Sequence, residues 1–215
     1  DALDSLAKPY EAAPMHDAPL TAVSAALDAE LVGAGFLDVG FDPDLGLTTA
    51  ALVVERLARL PFTVEAAMRA MLRPLLGIEA AGPICVVEEA RLNAPVRFLA
   101  EGSRVVLVGD TVRSFIATAA QCRAEPDALF AYPMATLLTL PDTMDSHDTA
   151  PETVRTYWRI ALAAEAAGLL SAALASTVAH VIDRKQFGRA LATFQALRHR
   201  LAEAQVRTNG VYYLA

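Results

Sequence analysis

Apolar positions recur at helical spacing in the first third of the chain, then at strand spacing, then at helical spacing again. Leu20, Val23, Leu27 and Leu31 predict a helix from Leu20 to Gly33, closed by Gly33-Ala34-Gly35. A turn-rich loop, Phe41-Asp42-Pro43-Asp44-Leu45-Gly46, follows. Thr48 or Thr49 caps a second helix whose expected inner face is Leu52, Val53, Leu57 and Leu60, ended by Pro61. A third helix is expected from Thr63 to Leu76, with Val64, Met68, Met71, Leu72 and Leu75 inward and Gly77 as its stop. From Gly82-Pro83 the texture changes to short β-rich runs: 84–87, 96–99, 105–108, 115–118 and 136–140. Turn signals at Asn93-Ala94-Pro95, Gly102-Ser103 and Gly109-Asp110 separate them. A small, mostly antiparallel sheet or half-barrel is expected, with Asp142 to Pro151 as a polar connecting loop.

Two long helices close the pattern. One runs from about Glu152 to Asp183, with Pro151 suited to its first turn. The other begins after Gly188 and presents Leu191, Phe194, Leu197, Leu201, Ala204 and Val211 on one face. Gln186-Phe187-Gly188 joins them as a helical hairpin. The expected fold is therefore mainly α with a small β-domain: an N-terminal helical domain over 1–81, a reduced β-domain over 82–150 and a C-terminal helical hairpin over 151–215.

Composition sharpens this picture. The 215 residues are 54% hydrophobic, 20% charged and only 7% aromatic, and alanine supplies roughly a fifth of them. That balance excludes disorder over most of the chain and favours closely packed helices over an all-β sandwich. The formal net charge of -7 argues against a nucleic-acid partner, which needs a clustered basic face. An anionic small ligand remains compatible, because a local Arg cluster outweighs the global sign. Cys85 and Cys122 have no ligand spacing, and the chain opens with the acidic Asp1-Ala2-Leu3-Asp4; both features point to a reduced, cytoplasmic protein. Ile160 to Ile182 is long enough to cross a bilayer, but it holds Glu165, Ser171, Ser176, Thr177 and His180 among mostly Ala positions. A helix buried on most sides within a bundle is expected there, with no membrane span.

The most informative segment is Asp183-Arg184-Lys185-Gln186-Phe187-Gly188-Arg189-Ala190-Leu191-Ala192-Thr193-Phe194-Gln195, followed by His199-Arg200-Leu201-Ala202-Glu203. It resembles the acyl-CoA dehydrogenase family, which carries an Arg-x-Gln-Phe-Gly run, a Phe-Gln pair and a Leu-Ala-acidic stretch. The Ala-rich helix with Glu165-Ala166-Ala167-Gly168 is similar to the family's preceding helix. The resemblance implies FAD as cofactor, an acyl-CoA substrate, α,β-dehydrogenation of its thioester and an oligomer, either of one chain or with a second, unlike acyl-CoA dehydrogenase subunit. It further implies that Arg184 grips the flavin pyrophosphate of a neighbouring subunit, with Gln186 in the same motif. Phe187 would offer a flat apolar surface to the adenine end, Gly188 a close backbone turn and Gln195 an amide to the flavin or its ribityl chain. Without a ligand, the same residues read as a cationic helix C-terminus, a hairpin plug and a surface amide.

The chain departs from the family in two places. The Gly- and Ser-rich β-domain segment that holds the flavin ring has no counterpart, nor does the Trp-containing segment after it. The sole tryptophan is Trp158, on the long helix, aligned with the catalytic base of one family branch. Glu165 is the carboxylate in the middle of that helix, and as a purely structural residue it would pair with an Arg of the bundle. His180 and His199 show no triad or metal spacing. The implied function is an acyl-CoA dehydrogenase-like subunit, as the base-lacking partner in a heteromer. A cofactor-free assembly subunit and an oxidase or monooxygenase relative are the alternatives.

Overall fold

A computed structural model of the chain describes residues 2–12, 22–79, 82–125 and 132–214. Helices come first: α1 (Ala2–Ala7), α2 (Ala25–Gly33), α3 (Gly46–Leu57) and α4 (Ala67–Leu76). The helix expected from Leu20 starts at Ala25, because Ser24 caps it by accepting the Leu27 N–H at 3.2 Å. Leu20 lies outside the described residues. Val23 is extended instead and bridges Thr63. That bridge also delays the third helix from Thr63 to Ala67, where the Glu65 carboxylate caps it by accepting the Met68 N–H at 2.9 Å. The cap expected at Thr48 or Thr49 is likewise displaced. Asp42 takes the N–H groups of Asp44 and Leu45, and α3 opens at Gly46. Leu52, expected inward, is 48% exposed, while Val53, Val54 and Leu57 are buried. Gly77 ends α4 in the left-handed region at φ 62°, as the sequence predicts.

Two small sheets follow. The first has the order β1-β3-β4-β7, built from Ile84–Glu88, Arg104–Val108, Val112–Ile116 and Asp145–His147; β1 and β3 run parallel and the other pairs antiparallel. The second, β2-β6-β5, joins Pro95–Arg97, Met134–Leu137 and Cys122–Ala124 in antiparallel register. The runs expected at 96–99 and 136–140 are thus shorter and shifted. β7 falls inside the segment expected to be a loop, since polar contacts rather than apolar alternation hold it. Ser114 Oγ lies 2.8 Å from His147 Nε2, and His147 Nδ1 donates to the Leu76 carbonyl at 3.2 Å. Arg104 donates to both Ser114 and Asp145.

Three apolar clusters organise the molecule. One lies among the N-terminal helices around Leu27, Leu31 and Leu57. A second, around Val105, Leu107 and Phe115, fills the space between the two sheets. The third joins α3, α4 and the first sheet to the long helix α5 (Pro151–Asp183) through Met68, Met71, Val106 and Ala161. Ala150 stands at the N-cap position of α5 without a side-chain bond, and Pro151 occupies the first turn, as expected. Gly168 allows α5 to cross α3: a Cβ there would strike the Glu55 carbonyl oxygen and lie 2.7 Å from the Ala58 Cβ.

α5 is long and apolar enough to cross a membrane by length and composition, with 28% of its apolar window buried. The expectation of burial on most sides holds only for its first half, through Gly168. Beyond it, Leu169, Leu170, Val178 and Ile182 are exposed, and α6 (Gln195–Leu214) is the neighbouring helix. The connection is also more structured than a bare helical hairpin. β8 (Lys185–Gln186) pairs with β9 (Arg189–Ala190), and Leu191 to Thr193 forms one 3₁₀ turn before α6. Leu191 and Phe194 therefore precede α6 rather than sitting on its face.

Candidate functional site

The tip of the α5–α6 arm carries all five residues singled out in the sequence, and it forms a tight two-residue turn. Phe187 at φ 53° and Gly188 at φ 76° reverse the chain between β8 and β9. Positive φ at both central positions matches the twist of a β-hairpin, but a phenylalanine pays strain for it that glycine does not. Phe187 is also 91% exposed. Arg184 is the C-cap of α5, its N–H bonded to the His180 carbonyl at 2.9 Å, while its carbonyl accepts the Leu191 N–H at 2.8 Å. The Arg184 and Gln186 side chains are exposed and make no hydrogen bond or ion pair among the described residues. Gln195 begins α6 and lies 3.4 Å from His199 Nε2.

The tip adds one residue that sequence reasoning passed over. The Arg189 guanidinium lies 4.1 Å from the Phe194 ring centre, and Phe194 meets Phe187 edge-on at 6.4 Å. The signal was available in the charge pattern. Residues 183–200 hold Arg184, Lys185, Arg189, Arg198 and Arg200 against Asp183 alone, in a chain of net charge -7. An exposed cationic tip with two aromatic rings fits a phosphorylated, ring-bearing ligand held from outside.

The second feature is a cavity of about 660 Å³ between β1, β2 and the first half of α5. Trp158 and Leu162, one turn apart, wall it from the helix. Ile84, Val86 and Val96 line the strand side, and Met68 contributes from α4. Trp158, on the helix wall of this cavity, presents an indole that takes up no proton in the relevant pH range. Among the described residues, Glu88 is the one carboxylate that lines the cavity, and it is committed. Arg155 holds both its oxygens, at 2.9 and 3.0 Å, and these bonds keep the Glu88 carboxyl below the usual range. No group of three or more Asp, Glu, His or Cys able to hold a metal occurs among the described residues.

Glu165 stands behind this cavity rather than in it. It pairs with Arg97 at 2.7 Å and accepts a hydrogen bond from the Tyr132 hydroxyl at 3.0 Å. The structural reading of Glu165 is thus correct in kind, although its arginine comes from β2 and not from the bundle. Burial, reinforced by the Glu165 charge, pushes Tyr132 up to about 12. Nearby, burial raises the Glu65 carboxyl, which bonds the Met68 and Ile84 N–H groups and pairs with Arg69. Burial also raises the Cys85 thiol, so it is no nucleophile. The buried arginines and Glu65 escaped the sequence reading because charged residues carry no apolar periodicity.

Residues 152–215 match the family model described as acyl-CoA dehydrogenase, C-terminal domain. Acyl-CoA dehydrogenase IpdE2 from Mycolicibacterium smegmatis is 30% identical over 230 aligned positions, which cover 89% of this chain and 68% of that protein. Among solved structures, a steroid ACAD variant, Tcur3481-Tcur3483, superposes with a TM-score of 0.65 at 22% identity, covering 97% of this chain and 73% of its own. The ChsE4-ChsE5 complex from Mycobacterium tuberculosis gives 0.67 at 17% identity, covering 97% and 72%. The order of helices, small sheets and helices is the fold these structures share. By its relative and its fold, the chain belongs to the acyl-CoA dehydrogenase family.

Proposed function

We propose that this chain is one subunit of a heteromeric, FAD-dependent acyl-CoA dehydrogenase that oxidises an acyl-CoA thioester between Cα and Cβ, the second subunit supplying the catalytic base. The observation that carries this reading is a division within the molecule. The cavity beside α5 is roomy and largely apolar, yet its helix offers Trp158 where a base would stand, and the carboxylate that lines it among the described residues, Glu88, is locked by Arg155. The cationic tip, by contrast, is exposed at Arg184, Gln186, Phe187 and Arg189. The name of one structural neighbour, a two-protein complex, supports the heteromer, and another is described as a steroid enzyme. We read the acyl class accordingly as a steroid-derived side chain or ring fragment. The free thiols Cys85 and Cys122 agree with a cytoplasmic setting.

The residues present fit a flavin dinucleotide at the tip. Arg184, with no partner among the described residues, would hold the pyrophosphate, and Phe187 would cover the adenine. Gln186 and Gln195 offer amides, and Gly188 lets the backbone approach. FAD, when bound, supplies the acceptor for the hydride that leaves Cβ. This chain's own part is to hold the dinucleotide from outside, to enclose an apolar acyl group against Trp158 and Leu162, and to exclude water from it. The working division is a helical domain over 1–81, a β-domain over 82–150 and an α-helical arm over 151–215.

A cofactor-free assembly subunit is the second reading, favoured by the shortness of β2, β5 and β7, three residues each. One experiment separates the two. Co-purification with a candidate partner subunit, followed by an absorbance spectrum, is expected to show a flavin band that acyl-CoA bleaches anaerobically. Arg184→Ala should lower the flavin content of that complex at least tenfold. Unchanged flavin content in the variant, or a colourless complex, would rule out the proposed role.

A further inference from the structure

α5 borders a second cavity, of about 450 Å³, on the face turned away from Trp158. Ala51 and Leu52 of α3, Met71 of α4, and Ile160 and Ala164 of α5 make its walls apolar. Tyr157, Tyr212 and Tyr213 add three aromatic rings to the lining. Tyr212 and Tyr213 meet edge-on at 5.3 Å near the end of α6, and Tyr213, 81% exposed, stands at the rim.

Among the described residues, Glu55 is the one carboxylate that lines this cavity, and it is only 6% exposed. It sits where α3 bears on α5, since its carbonyl oxygen is what a Cβ at Gly168 would strike. The carboxylate is occupied on one side only. Arg59 Nε and Nη2 both donate to Oε1, at 2.9 and 2.6 Å, while Oε2 accepts no hydrogen bond among the described residues. A carboxylate oxygen left bare beside an apolar space is ready to accept a donor from whatever fills that space.

Three constraints define the occupant. Apolar walls and tyrosine rings favour a hydrocarbon body with an aromatic ring, because ring contacts add to the burial of area. The bare Oε2 favours a hydrogen-bond donor, and a bond to a carboxylate is stronger than one between neutral groups. Arg59 already offsets the Glu55 charge, so a neutral hydroxyl avoids bringing an uncompensated cation into an apolar cavity. An anionic head would meet the bare carboxylate oxygen and be repelled. The volume is within the range of small-molecule sites.

We propose that this cavity is a second small-molecule site, separate from the acyl cavity, and that it takes a phenol with a hydrocarbon tail whose hydroxyl donates to Glu55 Oε2. Such a site needs neither flavin nor acyl-CoA, so it stands or falls apart from the dehydrogenase reading.

Calorimetric titration of the full chain tests this with two probes of nearly equal size, 4-butylphenol and 4-butylanisole, which differ in the donor. The phenol is expected to bind at least about tenfold tighter, as one hydrogen bond to a charged acceptor provides. Glu55→Leu removes the acceptor and leaves Arg59, 42% exposed, in contact with water. It should reduce the preference below about twofold with the anisole's affinity nearly unchanged. Ala51→Phe fills the cavity from a partly exposed position and should weaken both probes at least about tenfold. Equal affinity of the two probes for the unmodified protein, or binding of neither, overturns the proposal. A preference that survives Glu55→Leu overturns the assignment to Glu55, and full affinity in Ala51→Phe places the probes elsewhere and overturns the site. Tighter binding of 4-butylbenzylamine than of the phenol overturns the neutral-donor class. Should a variant not fold, the comparison on the unmodified protein and the other variant decides.

Discussion

The two halves of α5 share a composition and differ in everything around it. From Pro151 to Gly168 the helix buries Val154, Ala161, Ala164, Glu165, Ala167 and Gly168 against α3, α4 and the strands. From Leu169 to Asp183 only Val181 is buried, although Leu169, Leu170, Val178 and Ile182 are as apolar as any residue in the first half. Periodicity alone therefore reports that a helix has an apolar face, and the packing of other elements decides whether that face is covered within the chain. The first half walls a cavity of this chain. The second half and α6 form an arm that carries a cationic, aromatic tip away from it.

This contrast yields predictions of decreasing size. Glu165→Ala strands Arg97 in a largely buried site and should cost about 3 kcal/mol of stability in chemical denaturation; a loss under 1 kcal/mol would show that the pair is not what closes this region. Gly168→Ala forces the α3–α5 crossing apart and should cost about 2 kcal/mol. On the arm the same exchange has the opposite sign. Gly210 is helical with open space around its Cβ position, so Gly210→Ala should stabilise by about 0.5–1 kcal/mol. If both glycine variants behave alike in thermal unfolding, the distinction between body and arm fails. Phe187→Gly relieves a positive φ and removes an exposed ring, so the isolated chain should hold or gain a few tenths of a kcal/mol. Its expected loss is in assembly and flavin retention, read by sedimentation and absorbance.

The smallest effect concerns pH. Arg155 holds the Glu88 carboxyl below its usual range of about 4.5. The contribution of this pair is present above that value and fades as pH falls through the lower folded value. Glu88→Gln should therefore destabilise the protein at neutral pH and become equal to the unmodified protein in acid. A pH-independent difference would assign the effect to packing.

How much of this was legible depended on which physical signal held each element. Gly77 and Pro151 were readable because backbone conformation constrains residue type directly. The arm's motif was readable because Arg184, Gln186, Phe187 and Gln195 form an unusual sequence at fixed offsets. β7 was invisible because polar contacts through Ser114, His147 and Arg104 hold it at a sheet edge. Glu65 was missed as the cap of α4, since its carboxylate acts on Met68 and on Ile84, nineteen residues away. In the cavity, Trp158 was noticed in sequence, whereas Arg97 and Tyr132 meet only through tertiary packing, 35 positions apart.

α5 is one unbroken helix of 33 residues, roughly 50 Å from end to end. Body and tip are therefore joined by a stiff rod rather than a hinge. Gly168 marks where α3 bears against it, with 15 residues, or about 22 Å of helix, projecting beyond. A tilt of about 5° at that bearing point carries the tip through ~2 Å, more than the tolerance of a hydrogen bond. Any displacement of α5 beside Trp158 would therefore be magnified at Arg184 on the tip.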